Sequence, residues 1–372
     1  MTRRRLLIAL MVAACAIAAI TAPASAQVFR FGVDGTKVDH KTPTEVPGTS
    51  EVAEPDASNG NICMRTASGR VVTQGSNSDG SLGDGGAVAQ SESAVEAELP
   101  PEVFVTSVGE AEFACAAVTS TGELYVWGSN TLGEICMGES QETYFTPVKV
   151  PGVTEAVSVQ GAAKHLLIRL ASGRVEVCGH TGLGLGKSIT QVYSPTLIPN
   201  LEHVVQVSAG AGTSGARTES GEIYMWGNNR KGEVGDGNTK AAMSPVHISL
   251  PKPAVDLSVG GNSDNGHTEV LLTENVVYGW GEDEAGEIGD GSEAKKLSPA
   301  LATKFSSVAD ITSVVASGTI TMVLTEPGDV YSVGSGKYLG TMEAKSSFTP
   351  VLIAEETEEI SGTAYNQVLR KA

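Results

Sequence analysis

The sequence of 372 residues predicts an all-β fold, a seven-bladed β-propeller of four-stranded blades in which the last blade is shared by the N- and C-terminal segments. Three observations predict it. A strand ending in glycine recurs at a period of about fifty residues, which marks propellers and solenoids. Each period holds the same order of short extended runs, and four short strands per period make a blade. The two chain ends read as complementary halves of one further unit.

The first residues stand apart from the repeat. Met1-Thr2-Arg3-Arg4-Arg5 is followed by an apolar run from Leu6 to Ile20 and by the small-x-small site Ala24-Ser25-Ala26. A basic start, a short apolar core and that site predict a signal peptide over 1–26, cleaved after Ala26. The run of 15 residues is too short to span a bilayer comfortably. Thr2-Arg3-Arg4 fits twin-arginine export, and three arginines suit the general route equally. No second run of spanning length follows, so residues 27–372 are expected to be soluble, without a membrane span, and secreted or in the cell envelope.

Losing the three arginines moves the formal charge from −18 to −21. Phosphate contacts need a basic surface, so nucleic acid is not expected as a partner. With Cys15 in the signal, Cys63, Cys115, Cys136 and Cys178 remain. An even count in an exported chain predicts two disulfides, with three connectivities open. Pairing Cys63 with Cys115 and Cys136 with Cys178 would join neighbouring units. No C-x-x-C occurs, which removes zinc-knuckle and thioredoxin-type readings.

The unit is clearest at Gly221-Glu222-Ile223-Tyr224-Met225-Trp226-Gly227-Asn228-Asn229-Arg230-Lys231-Gly232-Glu233-Val234-Gly235-Asp236-Gly237. A turn glycine leads into an alternating run of β-formers; a polar loop and a glycine-rich corner follow. Aligning on the glycine that ends the strand gives Gly75, Gly128, Gly179, Gly227, Gly281 and Gly334, at steps of 53, 51, 48, 54 and 53 residues. An apolar strand precedes each, as in Leu166-Leu167-Ile168-Arg169-Leu170. After the corner, Thr/Ser-Pro opens an outer run at Pro147, Pro195, Pro245, Pro299 and Pro350, fitting an edge strand that needs no full ladder of donors. A last short strand such as Val157-Ser158-Val159 leads into the next unit. Val28-Phe29-Arg30-Phe31-Gly32 with Thr42 to Val46 reads as a second half-unit, and Ile360 to Arg370 as a first half, so one blade closes the ring across the termini and removes exposed edges.

Leu124-Tyr125-Val126-Trp127-Gly128-Ser129-Asn130-Thr131-Leu132-Gly133-Glu134-Ile135, the stretch from Gly221 to Gly237, and Tyr278 to Gly291 resemble the repeat of the regulator of chromosome condensation family of seven-bladed propellers. The resemblance covers essentially all of 27–372. Gln74, Cys178 and Val333 depart from it at its Trp position, and Glu134, Glu233 and Glu287 stand where its repeat has Gln. It implies structural roles for His165 and His267 at the start of their strands. Nuclear members are exchange factors for a small GTPase that also contact chromatin; export and an acidic charge oppose that role here.

The remaining motifs offer little chemistry. Gly182-Leu183-Gly184-Leu185-Gly186-Lys187-Ser188 fails as a phosphate loop, because Thr181 stands where its first glycine is needed and no helix follows. No H-E-x-x-H and no Gly-x-Ser-x-Gly elbow occurs. Acidic corners such as Asn77 to Asp84 and Glu282 to Asp290 offer oxygen ligands, but their spacing does not match the twelve-residue calcium loop. No catalytic residue, metal or cofactor is therefore expected. Trp127, Trp226 and Trp280 share one repeat position and are expected to be buried between blades.

The function expected is a secreted, non-catalytic protein-binding scaffold, monomeric, whose partner is an extracellular or cell-surface protein. Its loops after each strand-ending glycine are the expected contact surface: Asn130, Asn228, Asn229, Arg230, Lys231, Asp283, Glu284, Lys337 and Tyr338. Two alternatives are an inhibitor like the exported propellers that clamp a β-lactamase with aromatic-rich loops, and a lyase or hydrolase with a site at the central channel. The turns Gly161 to Lys164, Gly210 to Thr213 and Gly261 to Asn265 carry small or polar residues where the inhibitor form calls for aromatics.

Overall fold

A computed structural model describes residues 26–33, 39–58, 60–139, 142–261, 266–342, 345–363 and 366–371. Seven antiparallel sheets of four strands form a ring. Blade 1 opens at Val52–Ser58, blade 2 at Val105–Ala111, blade 3 at Ala156–Ala162, blade 4 at Val204–Ala209, blade 5 at Ala254–Gly261 and blade 6 at Ile311–Ala316. These innermost strands line the central channel. Blade 7 joins Thr357–Thr363 and Asn366–Lys371 from the C-terminus to Gln27–Val33 and Asp39–Glu45 from the N-terminus. The seam pairs Val28 with Arg370 and Phe31 with Gln367, so the ring is closed by main-chain hydrogen bonds as the end segments predict. The short strand placed at the end of each repeat is the innermost strand of the next sheet. Of the segment 1–26 only Ala26 is described; it forms a parallel bridge with Glu51.

The tryptophan position explains how neighbouring blades are held. Trp127, Trp226 and Trp280 are fully buried, and each indole N–H donates to a carbonyl in the corner of the preceding blade: Ser81 at 2.9 Å, Gly182 at 2.7 Å and Glu233 at 2.8 Å. A Cβ at Gly83, Gly184 or Gly235 would lie 2.7, 2.9 or 2.7 Å from that indole nitrogen. The corner is therefore glycine because the tryptophan packs on it. Where the tryptophan is missing, another group fills the gap. Cys178 is bonded to Cys136 in the corner of blade 2, with Cα atoms 5.4 Å apart. Before Val333, Phe305 from the short 3₁₀ helix Thr303–Ser307 packs on Gly289. In blade 7 Phe31 packs on Gly340. Among the described residues the Gln74 amide donates to the Ser91 carbonyl, at 3.0 Å.

The second disulfide, Cys63–Cys115, ties the second strands of blades 1 and 2. Both pairings are those that join neighbouring units. His165 and His267 are also buried cross-blade ties, hydrogen-bonded at 2.8 Å to Ser214 and Thr321. Burial lowers their pKa values to about 4 and about 3, so both rings are neutral at physiological pH. Among the described residues no helix is long and apolar enough to cross a membrane.

Candidate functional site

Antiparallel order decides which loops share a face. The end of the first strand, the start of the second and the end of the third lie at one rim, so the first turn and the corner loop of every blade project together. We call this the upper face. The turns between second and third strands, and the links between blades, lie below.

The corner loops of blades 1, 2, 4 and 5 are braced by a residue that recurs in the repeat. Two residues after the strand-ending glycine stands Asn77, Asn130, Asn229 or Asp283, all buried. Asn229 accepts from the Val234 N–H at 2.9 Å and donates to Asp236 Oδ1 and to the carbonyls of Asn238 and Lys240. Asn77 does the same with Leu82, Asp84 and Val88. Asp283 accepts from Ile288 and Ser292. The buried Glu134, Glu233 and Glu287 accept from loop N–H groups of Leu132, Lys231 and Ala285.

This divides the nine residues expected at the contact surface. Asn130, Asn229 and Asp283 are enclosed in the corners and hold them, which corrects their assignment as contact residues: a side chain with no accessible surface cannot meet a partner. Lys231 is half-buried and paired with Glu282 and Glu284 of blade 5, 3.8 Å from the latter, so its charge is neutralised within the molecule. Lys337 is exposed over the half-buried Tyr338 ring, 4.9 Å from its centroid. Glu284 is exposed, Asn228 half-buried and Arg230 exposed. Of the nine, only Asn228 and Arg230 border a common cavity.

That cavity is a cleft of about 670 Å³ between blades 3 and 4, running toward the mouth of the central channel. The first turn of blade 3 supplies Ala163 and Lys164, and its corner supplies Gly182, Leu183 and Ile189. Blade 4 supplies Ala211, Asn228, Arg230 and Met243. The corner glycines have positive φ, +61° at Gly182 and +71° at Gly184, so the failed phosphate motif is the wall of this cleft.

The sequence reading missed the apolar residues on the same face. Phe113, in the first turn of blade 2, is 45% exposed; Ile189 is 37% and Met342 is 75% exposed, both on corner loops. Phe113 occupies in blade 2 the turn position of Lys164 in blade 3, since Ala114 and His165 each open a second strand. Extending the turn comparison to blade 2 would have found it.

The channel is polar and largely satisfied. Asp56 accepts from the Glu110 N–H, the Gln160 amide and the Ser361 hydroxyl. Burial nevertheless raises its pKa to about 6. Asp256 receives Gln206, Ser313 and the Val314 N–H. These bonds cross from blade to blade and belong to the packing of the ring.

Comparisons with known proteins agree with this architecture. The family model for the regulator of chromosome condensation (RCC1) repeat matches residues 220–263 and 274–324, and a second model of that description matches 204–233. The chain is 26% identical over 330 residues to the probable E3 ubiquitin-protein ligase HERC6 of Homo sapiens, covering 83% of this chain and 31% of that protein. It is 25% identical over 347 residues to the regulator of chromosome condensation of Xenopus laevis, covering 87% and 81%. Among solved structures, human WBSCR16 superposes with a TM-score of 0.81 at 17% identity, over 93% of this chain and 99% of that one. Prp20p from Saccharomyces cerevisiae, described with its binding to Gsp1p and histones, superposes with a TM-score of 0.80 at 18% identity, over 94% and 92%.

Proposed function

From the premise that this chain carries regulator of chromosome condensation repeats in a seven-bladed propeller, we propose that it is an exported, non-catalytic scaffold that binds a protein partner through its upper face. The observation that carries this reading is the set of exposed apolar side chains, Phe113, Ile189 and Met342, on the upper face. Aromatic and methionine side chains are enriched in interface cores. Protein binding is also the activity described for Prp20p; the likeness of fold makes it a class of activity to test here.

Export rests on the predicted signal at 1–26. A partner would accordingly be extracellular or at the cell surface, and the scaffold monomeric. The two buried histidines are neutral and committed to cross-blade bonds, which leaves them unsuited to acid–base work. Phe113 revives the inhibitor form of the reading, since it puts an aromatic in a turn of the binding face. A β-lactamase assay with no effect at micromolar protein would remove that form.

The scaffold reading is tested by capture from the exported and surface fraction of the producing cell, with wild-type protein and with Phe113→Ala/Met342→Ala. Both side chains are exposed, so the fold should be unaffected. We expect a partner retained by wild type and lost by the double variant. Retention unchanged by the substitutions would place binding elsewhere.

A further inference from the structure

Several cations of this acidic protein are paired within the molecule. Arg65 meets Glu54, Arg70 meets Glu96, Lys149 meets Glu123, Lys231 meets Glu282, and Arg370 meets Glu358 and Glu359. Others, Lys187 and Lys240 among them, have no such pair among the described residues, and Lys164 and Arg230 are set apart by their place. Both are exposed, both border the cleft between blades 3 and 4, and neither side chain makes a hydrogen bond or ion pair among the described residues. His180 lines the same cleft and keeps a buried Nδ1 without a hydrogen-bond partner. Glu112 is the one carboxylate among the lining residues, in a chain where acids outnumber bases 43 to 25. Leaving two cations unpaired beside one cavity, against that background, focuses positive potential there.

The floor between them is apolar, made by Leu183, Ala209 and Met243. A volume of about 670 Å³ falls in the range of clefts that enclose a small ligand or a few residues of chain. The cleft also extends to the channel mouth, bordered by Ser58 and Thr363 on the far side of the ring, so a polypeptide could enter and leave without its ends being buried.

We propose that this cleft seats an extended acidic segment of the partner, with an aliphatic side chain on the Leu183–Met243 floor and flanking carboxylates on Arg230 and Lys164. Arginine's planar fork suits a carboxylate in two-point contact. The assignment rests on the protein-binding reading and names the chemistry that reading leaves open.

The test is fluorescence anisotropy with the full mature chain and a labelled peptide Gly-Asp-Glu-Leu-Glu-Asp-Gly. Controls are its Asn/Gln counterpart and a version with Ser for Leu. The acidic peptide should bind saturably, and binding should weaken with salt, as expected for partly exposed charges. Arg230→Ala and Lys164→Ala should each weaken it about two- to fivefold, the range of a single exposed charge contact. K164E/R230E should abolish it, with unfolding midpoints unchanged, and both control peptides should bind at least about tenfold more weakly. Absence of saturable binding up to about 1 mM peptide, or equal binding by K164E/R230E, overturns the proposal. Competition by acetate as effective as by unlabelled peptide also overturns it, in favour of a small-anion site. If the partner is captured through Phe113 and Met342 while K164E/R230E captures it equally, this assignment fails and the scaffold reading stands. Peptide binding without any captured partner supports the cleft and counts against the scaffold reading alone.

Discussion

Replacing Trp226 tests how the blades are joined. The indole is fully buried, its N–H donates to the Gly182 carbonyl at 2.7 Å, and it lies against Gly184. Trp226→Ala removes both the packing and the bond, and deletions of this size cost about 3–5 kcal/mol. Trp226→Phe keeps most of the ring. The Gly182 carbonyl would still accept from Ser214 at 3.0 Å, so the phenylalanine variant should lose about 1–2 kcal/mol. Urea unfolding followed by intrinsic fluorescence and far-UV dichroism measures both losses. Gly182 and Gly184 also border the cleft, so Trp226→Ala should speed hydrogen exchange in residues 181–190 more than in the corner of blade 6. Two results would refute the reasoning: an alanine variant within about 1 kcal/mol of wild type, or phenylalanine and alanine variants of equal stability.

Other consequences follow from the same structure. Removing the Cys136–Cys178 bond, which closes a loop of 42 residues, as Cys136→Ala/Cys178→Ala should cost about 4 kcal/mol on the chain-entropy account; a much smaller loss in urea melts would show that this bond does not stand in for the tryptophan. Gly227→Ala forces a side chain into φ +102° with its Cβ 2.2 Å from the Gly212 carbonyl. It should destabilise by more than about 1 kcal/mol, read as a lowered thermal midpoint. Buried Asp56 and Asp283, raised to about 6, and Glu287, raised to about 7, bind protons in the folded state before the unfolded chain does, so they make stability rise as pH falls from about 8 toward the ordinary carboxyl range near 4. His165 and His267 work the other way, because the unfolded chain takes up their protons first below about 6.5. The raised carboxyls outnumber them, with Glu359 also raised to about 7, so stability should go on rising, less steeply, from about pH 6 to about pH 5, and a monotonic rise from pH 4 to 8 would contradict the assignment. Asp56→Asn can keep all three hydrogen bonds by facing its amide nitrogen to Ser361, so it should raise stability at pH 8 and flatten that slope.

The ring was legible because spacing alone carries it. The strand-ending glycine, the outer-strand proline and the complementary ends each follow from backbone requirements that few residues meet. The phase of the repeat was less plain, since Val157-Ser158-Val159 closes one unit in sequence and opens the next sheet in space. The substitutes for tryptophan were out of reach: Phe305 arrives from a 3₁₀ helix with no counterpart in the repeat, and it is placed by packing on Gly289. The candidate face was half legible. Polar loop residues read as contact residues, yet Asn130, Asn229 and Asp283 recur at one phase of the repeat, and that recurrence is the mark of a structural role. Arg230 differs between blades and remains at the site. Lys164 reads only as a polar turn residue, and Phe113 goes unnoticed, because a short turn shows no pattern until its blade is aligned with the others.

The central claim, that the upper face binds the partner, is tested most directly by hydrogen-exchange footprinting of the mature chain with and without its captured partner. Protection is predicted in residues 181–190 and 228–243 and around Phe113. Protection confined to the opposite turns, such as Ala171 to Gly173 and Glu219 to Gly221, would contradict it.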